Sequence, residues 1–190
     1  MQRYILVRHG QTQWNKEGKY TGQSDIPLNQ TGQDEAKAIS AHILSLEPDI
    51  IFSSDLQRAE ETARLIRGEK KSIPLITDQR LREIHQGEWE GLHEKEIKRR
   101  FETQFETRKN DPLQTAPPGG ETIGNVYHRV LDFLREMQEE HAEQLILIVA
   151  HGVVLAIIDL ISCGEPIEKV FDHIPANAEP KIVTIGEIRI

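Results

Sequence analysis

Several features are scarce in this sequence, and each scarcity excludes a class of protein. A single cysteine, Cys163, excludes an internal disulfide. Because an apolar run over residues 153–161 precedes it, we expect this thiol to be packed rather than reactive. Lysine and arginine total 23 against 31 aspartates and glutamates, for a formal net charge of −8. Nucleic acids and anionic membranes are bound by basic surfaces, so neither is expected as a partner.

Long apolar runs are also missing. No run approaches the length of a membrane span, and the run over residues 4–7 is too short for the core of a signal peptide. We therefore expect a cytoplasmic protein. The 190 residues contain no repeat, low-complexity tract or linker, which predicts a single domain over residues 1–190.

Short apolar runs alternate with amphipathic segments along the chain. Strands are predicted at 4–7, 50–52, 73–76, 145–150 and, at an edge, 181–190. Helices are predicted from a capping box at Thr31, from about residue 55, and over 94–106, 121–140 and 152–161. This order predicts an α/β fold, a three-layer sandwich with helices on both faces of a mainly parallel central sheet.

Three of the predicted strands end at residues suited to chemistry. His9 follows the first strand beside Arg8, Arg58 lies just beyond the second, and His151 follows the strand over 145–150. The carboxyl ends of parallel strands meet at one edge of a sheet, where ligands collect. Two guanidiniums and two imidazoles at that edge predict a site for an anion such as phosphate.

His9 is the candidate nucleophile. A neutral imidazole attacks phosphorus, and neighbouring arginines lower the imidazole pKa so that the ring is unprotonated near pH 7. A leaving alkoxide also needs a proton, and the segment over 80–91 offers the carboxylic acids Glu83, Glu88 and Glu90. The residues themselves do not choose among these three.

Six short blocks follow one another over residues 4 to about 155. They read LVRHGQTQWN at 6–15, YTGQSDIPL at 20–28, SSDLQRA at 53–59, LRE with GEWEG at 81–91, PGGE at 118–121 and AHG at 150–152. Together and in this order they resemble the histidine phosphatase superfamily, in its phosphoglycerate-mutase-like branch. The triplet Arg-His-Gly alone is a weak signal, whereas all six blocks in order are very specific.

The resemblance implies a phosphohistidine mechanism that needs no metal and no other cofactor. His9 would take the phosphoryl group, and Glu83 would protonate the leaving group and then deprotonate the attacking water. The phosphate-binding residues that it implies are Arg8, Asn15, Arg58 and His151, and the substrate-binding residues are Thr21, Gly22 and Gly152.

The block over 83–91 is similar to that of the phosphatase members, which include α-ribazole, phosphoserine and broad-specificity sugar phosphatases. We therefore expect a phosphomonoester hydrolase that acts on a small phosphorylated metabolite. The alternatives are a 2,3-bisphosphoglycerate-dependent phosphoglycerate mutase, whose relatives carry a longer insertion before the Pro-Gly-Gly block, and a catalytically inactive binding member.

Two places in the sequence depart from the family pattern. Gln11 stands where many relatives have glutamate, and the segment Thr107, Arg108 and Lys109 lies where phosphatase relatives often have an aromatic residue. The resemblance therefore does not identify the physiological substrate. It also leaves open the role of His85 and the choice between a monomer and a homodimer.

Overall fold

A computed structural model describes residues 1–188 of the chain. Within this range five strands form one sheet in the order β3-β2-β4-β1-β5. They are β1 (Gln2–Arg8), β2 (Ile50–Ser53), β3 (Leu75–Thr77), β4 (Leu145–Ala150) and β5 (Pro180–Ile185). Strands β1 to β4 are parallel, and β5 pairs antiparallel with β1 at one edge. The predicted mainly parallel sheet is confirmed.

Helices connect the strands. The α-helices in the described range are α1 (Gln13–Glu17), α2 (Gln30–Ser45), α3 (Gln57–Arg67), α4 (Glu94–Arg100), α5 (Glu102–Asn110), α6 (Ile123–Glu140) and α7 (Gly152–Cys163). Short 3-10 helices occur at Gln79–Leu81, Gly87–Trp89 and Ile167–His173. Among these residues no helix combines the length and the apolar character that crossing a bilayer requires.

The alternation of side chains along β1 produces the layers. Tyr4 and Leu6 point to one face of the sheet and belong to the apolar cluster that includes α6 and α7. Ile5 and Val7 point to the other face and pack with α2 and α3. The predicted three-layer α/β sandwich is therefore confirmed.

The register of the sheet brings three strand ends together. Arg8 at the end of β1 lies opposite Ala150 at the end of β4. Ser53 at the end of β2 pairs with Val149 of the same central strand. The residues that come next along the chain, including His9 and His151, therefore emerge side by side at the carboxyl edge, where we expected the site.

Several element boundaries differ from the expectation, and the strand predicted over 73–76 is β3 at Leu75–Thr77. The cap of α2 is Asn29, whose side chain accepts a hydrogen bond from Gly32 N at 2.9 Å, so the predicted capping box at Thr31 is wrong. The predicted helix over 94–106 is two helices, because Phe101 adopts non-helical angles (φ −132°, ψ 37°) between α4 and α5.

The expectations for the last helix and strand also need correction. Cys163 ends α7 as an exposed free cysteine, so the expectation that it is packed is wrong. The apolar run before it is buried over residues 153–160, but the thiol lies at the helix end that reaches the surface. The predicted edge strand over 181–190 ends at residue 185, and residues 189–190 lie outside the described range.

Candidate active site

His9 is buried, with 3% of its surface exposed, where β1 ends. Its backbone continues the sheet, since His9 N donates to Ala150 O at 3.0 Å. Its ring Nδ1 lies 2.8 Å from Gly10 O. A carbonyl oxygen accepts only, so Nδ1 carries the proton and the lone pair of the neutral ring is on Nε2. Arg58 Nε donates to that Nε2 at 3.3 Å, which agrees with this tautomer.

His151 faces His9 across the carboxyl edge. The ring centroids are 5.1 Å apart with the planes tilted by 59°. Within residues 1–188 neither ring nitrogen of His151 has a hydrogen-bond partner, although the side chain is fully buried. A buried polar group without a hydrogen-bond partner lowers the stability of the fold. Such an unpaired group is typical of a side chain that acts on a ligand.

Burial lowers the pKa of His9 well below its ordinary value of 6.5, and the positive charges of Arg58 and Arg8 lower it further. Burial likewise lowers the pKa of His151, with Arg58 as the next largest contribution. Both imidazoles are therefore neutral near pH 7. A neutral His9 keeps the lone pair that a nucleophile needs, and a neutral His151 still carries one N–H donor.

These depressed pKa values predict a loss of stability in acid. Below about pH 6.5 the unfolded chain protonates His9 and His151 while the folded chain does not, so the unfolded state binds more protons and is favoured. We expect the free energy of unfolding to fall by at most about 1.4 kcal/mol per histidine for each pH unit. Urea denaturation between about pH 7.5 and about pH 5.5 measures this slope. His151→Gln should make it shallower, and an unchanged slope would contradict the assignment.

Two arginines supply positive charge beside the histidines. Arg58, which is 1% exposed in the first turn of α3, donates from Nη1 to Ser24 O at 2.8 Å and from Nη2 to Gly22 O at 2.7 Å. Arg8 donates from Nη1 to Pro175 O at 2.8 Å, and its buried Nε has no partner in the described residues. Burial lowers the pKa of Arg58 to about 10, so its guanidinium stays charged near neutral pH.

Glu83 lies on the other side of the cleft, against the start of α7. Its carboxylate accepts from Ile84 N at 3.0 Å and from Val153 N at 3.3 and 3.4 Å. The helix N-terminus favours a negative group there. Burial lowers the pKa of both Arg8 and Arg58, and the negative charge of Glu83 partly offsets this lowering. The carboxyl therefore faces the charged edge of the sheet.

The other two candidate acids have different positions. Glu88 is exposed to solvent and does not line the cleft. Glu90 accepts from Gln23 N at 2.9 Å, from Gln86 N at 3.1 Å and from the Ser24 hydroxyl. Those contacts occupy the Glu90 carboxylate in holding the loop that Arg58 also binds. The structure therefore separates Glu83 from its two neighbours, which the residues alone did not and the family resemblance did.

A cleft of about 350 Å³ joins the predicted site residues. It is lined by Arg8, His9, Asn15, Thr21, Gly22, Arg58, Glu83 and Gly152 among others. His151 lies behind this surface, in ring contact with His9. Every residue predicted for the site thus lies in the cleft or directly against its lining.

Asn15 and Thr21 hold different amounts of free hydrogen-bonding capacity. Asn15 Oδ1 accepts from Thr12 N at 3.0 Å in the capping box of α1, so Nδ2 is the atom that remains for a ligand. Thr21 Oγ1 is buried and has no partner within residues 1–188. Both side chains are therefore placed to add donors to the rim of the cleft.

Two glycines shape the lining. A Cβ on Gly152 would stand 3.1 Å from Ile174 Cγ2 and 3.6 Å from both Arg8 Cζ and Glu83 Oε2, so a longer side chain there would enter the space between them. Gly22 has a φ of +55°, and a Cβ there would collide with the carboxylate of Glu90.

Several residues that sequence reasoning missed position the site. Arg129 Nη2 and Gln23 Nε2 both donate to Glu83 O, at 3.1 and 3.0 Å. Glu121 pairs with Arg129 at 3.2 Å and accepts from His85 N at 2.8 Å. Asn177 Nδ2 donates to His9 O at 2.7 Å. Glu121 is the last residue of the PGGE block, and this was the available signal for it.

His85 is turned away from this chemistry. Its Nδ1 lies 2.8 Å from Gly119 O, and it is not among the described residues that line the cleft. The contact ties the segment over 83–91 to the PGGE block.

Within residues 1–188 no group of three or more His, Cys, Asp or Glu side chains is placed to hold a metal ion.

Comparison with known proteins gives a consistent family. The sequence profile of the histidine phosphatase superfamily (branch 1) matches residues 4–189. The chain is 31% identical over 189 residues to phosphoserine phosphatase 1 of Hydrogenobacter thermophilus, covering 100% of this chain and 89% of the relative. It is 35% identical over 174 residues to 2,3-bisphosphoglycerate-dependent phosphoglycerate mutase 2 of Gloeobacter violaceus, covering 87% and 79%.

A solved structure agrees in fold. The crystal structure of the α-ribazole phosphatase from Shigella flexneri superposes with a TM-score of 0.90 at 28% sequence identity, covering 97% of this chain and 91% of that one. Proteins similar to this chain thus include both phosphatases and mutases.

Proposed function

The chain belongs to the histidine phosphatase superfamily (branch 1), and on that premise we propose that it is a metal-independent phosphomonoester hydrolase working through a phosphohistidine intermediate. Its substrate would be a small phosphorylated metabolite, since the cleft holds only about 350 Å³. The observation that carries the proposal is the tautomer of His9. The contact of Nδ1 with Gly10 O leaves the Nε2 lone pair beside the Arg58 guanidinium, where a phosphate would bind.

In the first step His9 Nε2 attacks phosphorus, a P–N bond forms, and the bond from phosphorus to the leaving oxygen breaks. Arg8 and Arg58 neutralise the charge on the transferring group, and a nitrogen of His151 donates to one of its oxygens. The acid form of Glu83 gives its proton to the leaving alkoxide. Throughout, Gly10 O accepts from the Nδ1 proton and stabilises the positive imidazole ring.

In the second step water attacks the phosphohistidine. Glu83, now a carboxylate, takes a proton from that water, and the P–N bond breaks to return its electron pair to His9 Nε2. The products are inorganic phosphate and the neutral ring, and Glu83 is again protonated. The hydrogen bonds from Arg129 and Gln23 to Glu83 O hold the backbone in place for both proton transfers.

The mutase is the second candidate, because one relative carries that name at 35% identity. Two assays on the purified protein separate the two activities. Phosphate release from a panel of phosphomonoesters, without added metal, measures hydrolysis. A coupled assay with 3-phosphoglycerate, primed with 2,3-bisphosphoglycerate, measures isomerisation.

We expect phosphate release to exceed isomerisation. Fast isomerisation with negligible phosphate release would show a mutase instead. A protein that hydrolyses no phosphomonoester in the panel and traps no phosphohistidine would show an inactive binding member. Either of these results would overturn the proposed hydrolase.

A further inference from the structure

A second pocket, of about 210 Å³, adjoins the cleft that holds His9. Its aromatic walls are Tyr20, Trp89, Phe105 and Phe171. Tyr20 and Phe171 also line the cleft, so the two cavities share a continuous surface. A substrate with its phosphate in the cleft therefore has room for its remaining atoms between these aromatic side chains.

Arg108 of α5 is a buried cation in this aromatic pocket, with 7% of its surface exposed. Its Cζ lies 5.3 Å from the centroid of the Trp89 ring, and its Nη1 donates to Gln86 Oε1 at 2.7 Å. No aspartate or glutamate in the described range forms an ion pair with it. The Arg108 guanidinium therefore donates to the neutral amide oxygen of Gln86 and not to a carboxylate.

Burying a charge without an opposite charge is costly, and a protein usually pairs it or uses it on a ligand. A guanidinium has five N–H donors in a planar fork that matches a carboxylate, and the donation to Gln86 uses one of them. The Trp89 ring beneath the guanidinium fixes its plane. The side chain is therefore held ready for a planar anion.

We propose that Arg108 determines specificity by binding a carboxylate on the leaving-group part of the substrate, while the aromatic walls contact its carbon skeleton. This inference rests on the proposed hydrolase and narrows its substrate class to phosphomonoesters that carry a carboxylate. Arg8 and Arg58 bind the phosphate that is transferred, and Arg108 reads the group that leaves.

A pair of substrates tests the proposal. 3-Phosphoglycerate has a carboxylate where glycerol 3-phosphate has a hydroxymethyl group, and the leaving alcohols are otherwise alike. We expect the wild-type protein to prefer 3-phosphoglycerate in kcat/KM for phosphate release. Arg108→Gln should lower the ratio of the two kcat/KM values by roughly 10- to 100-fold, mainly through KM, because a hydrogen-bonded ion pair is lost. The ratio for Arg108→Lys should lie between those of the wild type and Arg108→Gln, since lysine keeps the positive charge without the planar guanidinium fork.

Arg99→Gln is the matched control. It removes the same charge from an exposed position of α4 that lines neither cavity, and should leave the ratio within about twofold. The ratio is measured on one preparation, so partial unfolding of a variant does not change it. Equal loss on both substrates in Arg108→Gln, or no preference in the wild type, would overturn the proposal.

A binding measurement separates this inference from the hydrolase itself. If the wild-type protein releases no phosphate from these two compounds or from any other phosphomonoester of the panel, the proposed hydrolase fails. Calorimetric Kd values for the same two compounds then test Arg108 alone. A preference for 3-phosphoglycerate that Arg108→Gln abolishes would support the carboxylate site, and equal Kd values would exclude it.

Discussion

Replacing His9 by alanine is expected to lower kcat for phosphate release by roughly 10⁴-fold or more, because the covalent step loses its nucleophile. The neighbouring charges would remain, since Arg58 is also held by Ser24 O and Gly22 O. Phosphate should therefore still bind, and KM should change much less than kcat. Steady-state hydrolysis of p-nitrophenyl phosphate by wild type and variant measures both constants.

Trapping of the intermediate makes this prediction specific for a phosphohistidine. Rapid acid-free quenching of the wild-type protein with radiolabelled substrate should leave label on the chain that is stable in alkali and lost in acid. The His9→Ala variant should carry none, whereas His42→Ala, a change at an exposed histidine of α2, should be labelled like the wild type. Acid-stable label, or a His9→Ala variant that retains a tenth of the wild-type rate, would contradict the mechanism.

Much of the fold could be predicted because its central elements are apolar on every side. The run that forms β4 is buried at all six positions, as a central parallel strand between two helical layers requires. The boundaries that were wrong depend on single contacts instead. The Asn29 cap and the break at Phe101 are set by hydrogen bonds and backbone angles that hydrophobic periodicity does not encode.

Some residues of the site could likewise be predicted from the sequence, and others could not. His9, Arg58 and His151 follow strand ends, so the parallel topology alone predicted that they meet. The choice of Glu83 over Glu90 came from the family resemblance and not from the residues themselves, because both carboxylates are close in sequence and differ in what they contact. Arg129 comes from the second turn of α6, and nothing in its local sequence indicates that it binds the backbone of Glu83.

Glu83→Gln is expected to slow hydrolysis in proportion to the basicity of the leaving group. Glutamine keeps the size and the hydrogen bonds to the start of α7 but has no acidic proton to give. For an alkyl phosphate, whose alkoxide leaves only with a proton, kcat/KM should fall by roughly 10²- to 10⁴-fold. For p-nitrophenyl phosphate, whose phenolate leaves without protonation, the loss in kcat/KM should be less than about tenfold. A series of aryl and alkyl phosphates measures the dependence.

Glu90→Gln separates an acid from a positioning residue. Its carboxylate accepts three hydrogen bonds from the loop over 22–24 and from Gln86, so its loss should displace Gly22 and the Arg58 that binds it. That change weakens phosphate binding equally for every leaving group. A plot of log kcat/KM against the pKa of the leaving alcohol should therefore be parallel for Glu90→Gln and the wild type. Glu88→Gln, at an exposed position, should give the same plot as the wild type. A Glu83→Gln plot parallel to the wild-type plot would remove Glu83 as the acid, since only a proton donor makes the rate depend on the basicity of the leaving oxygen.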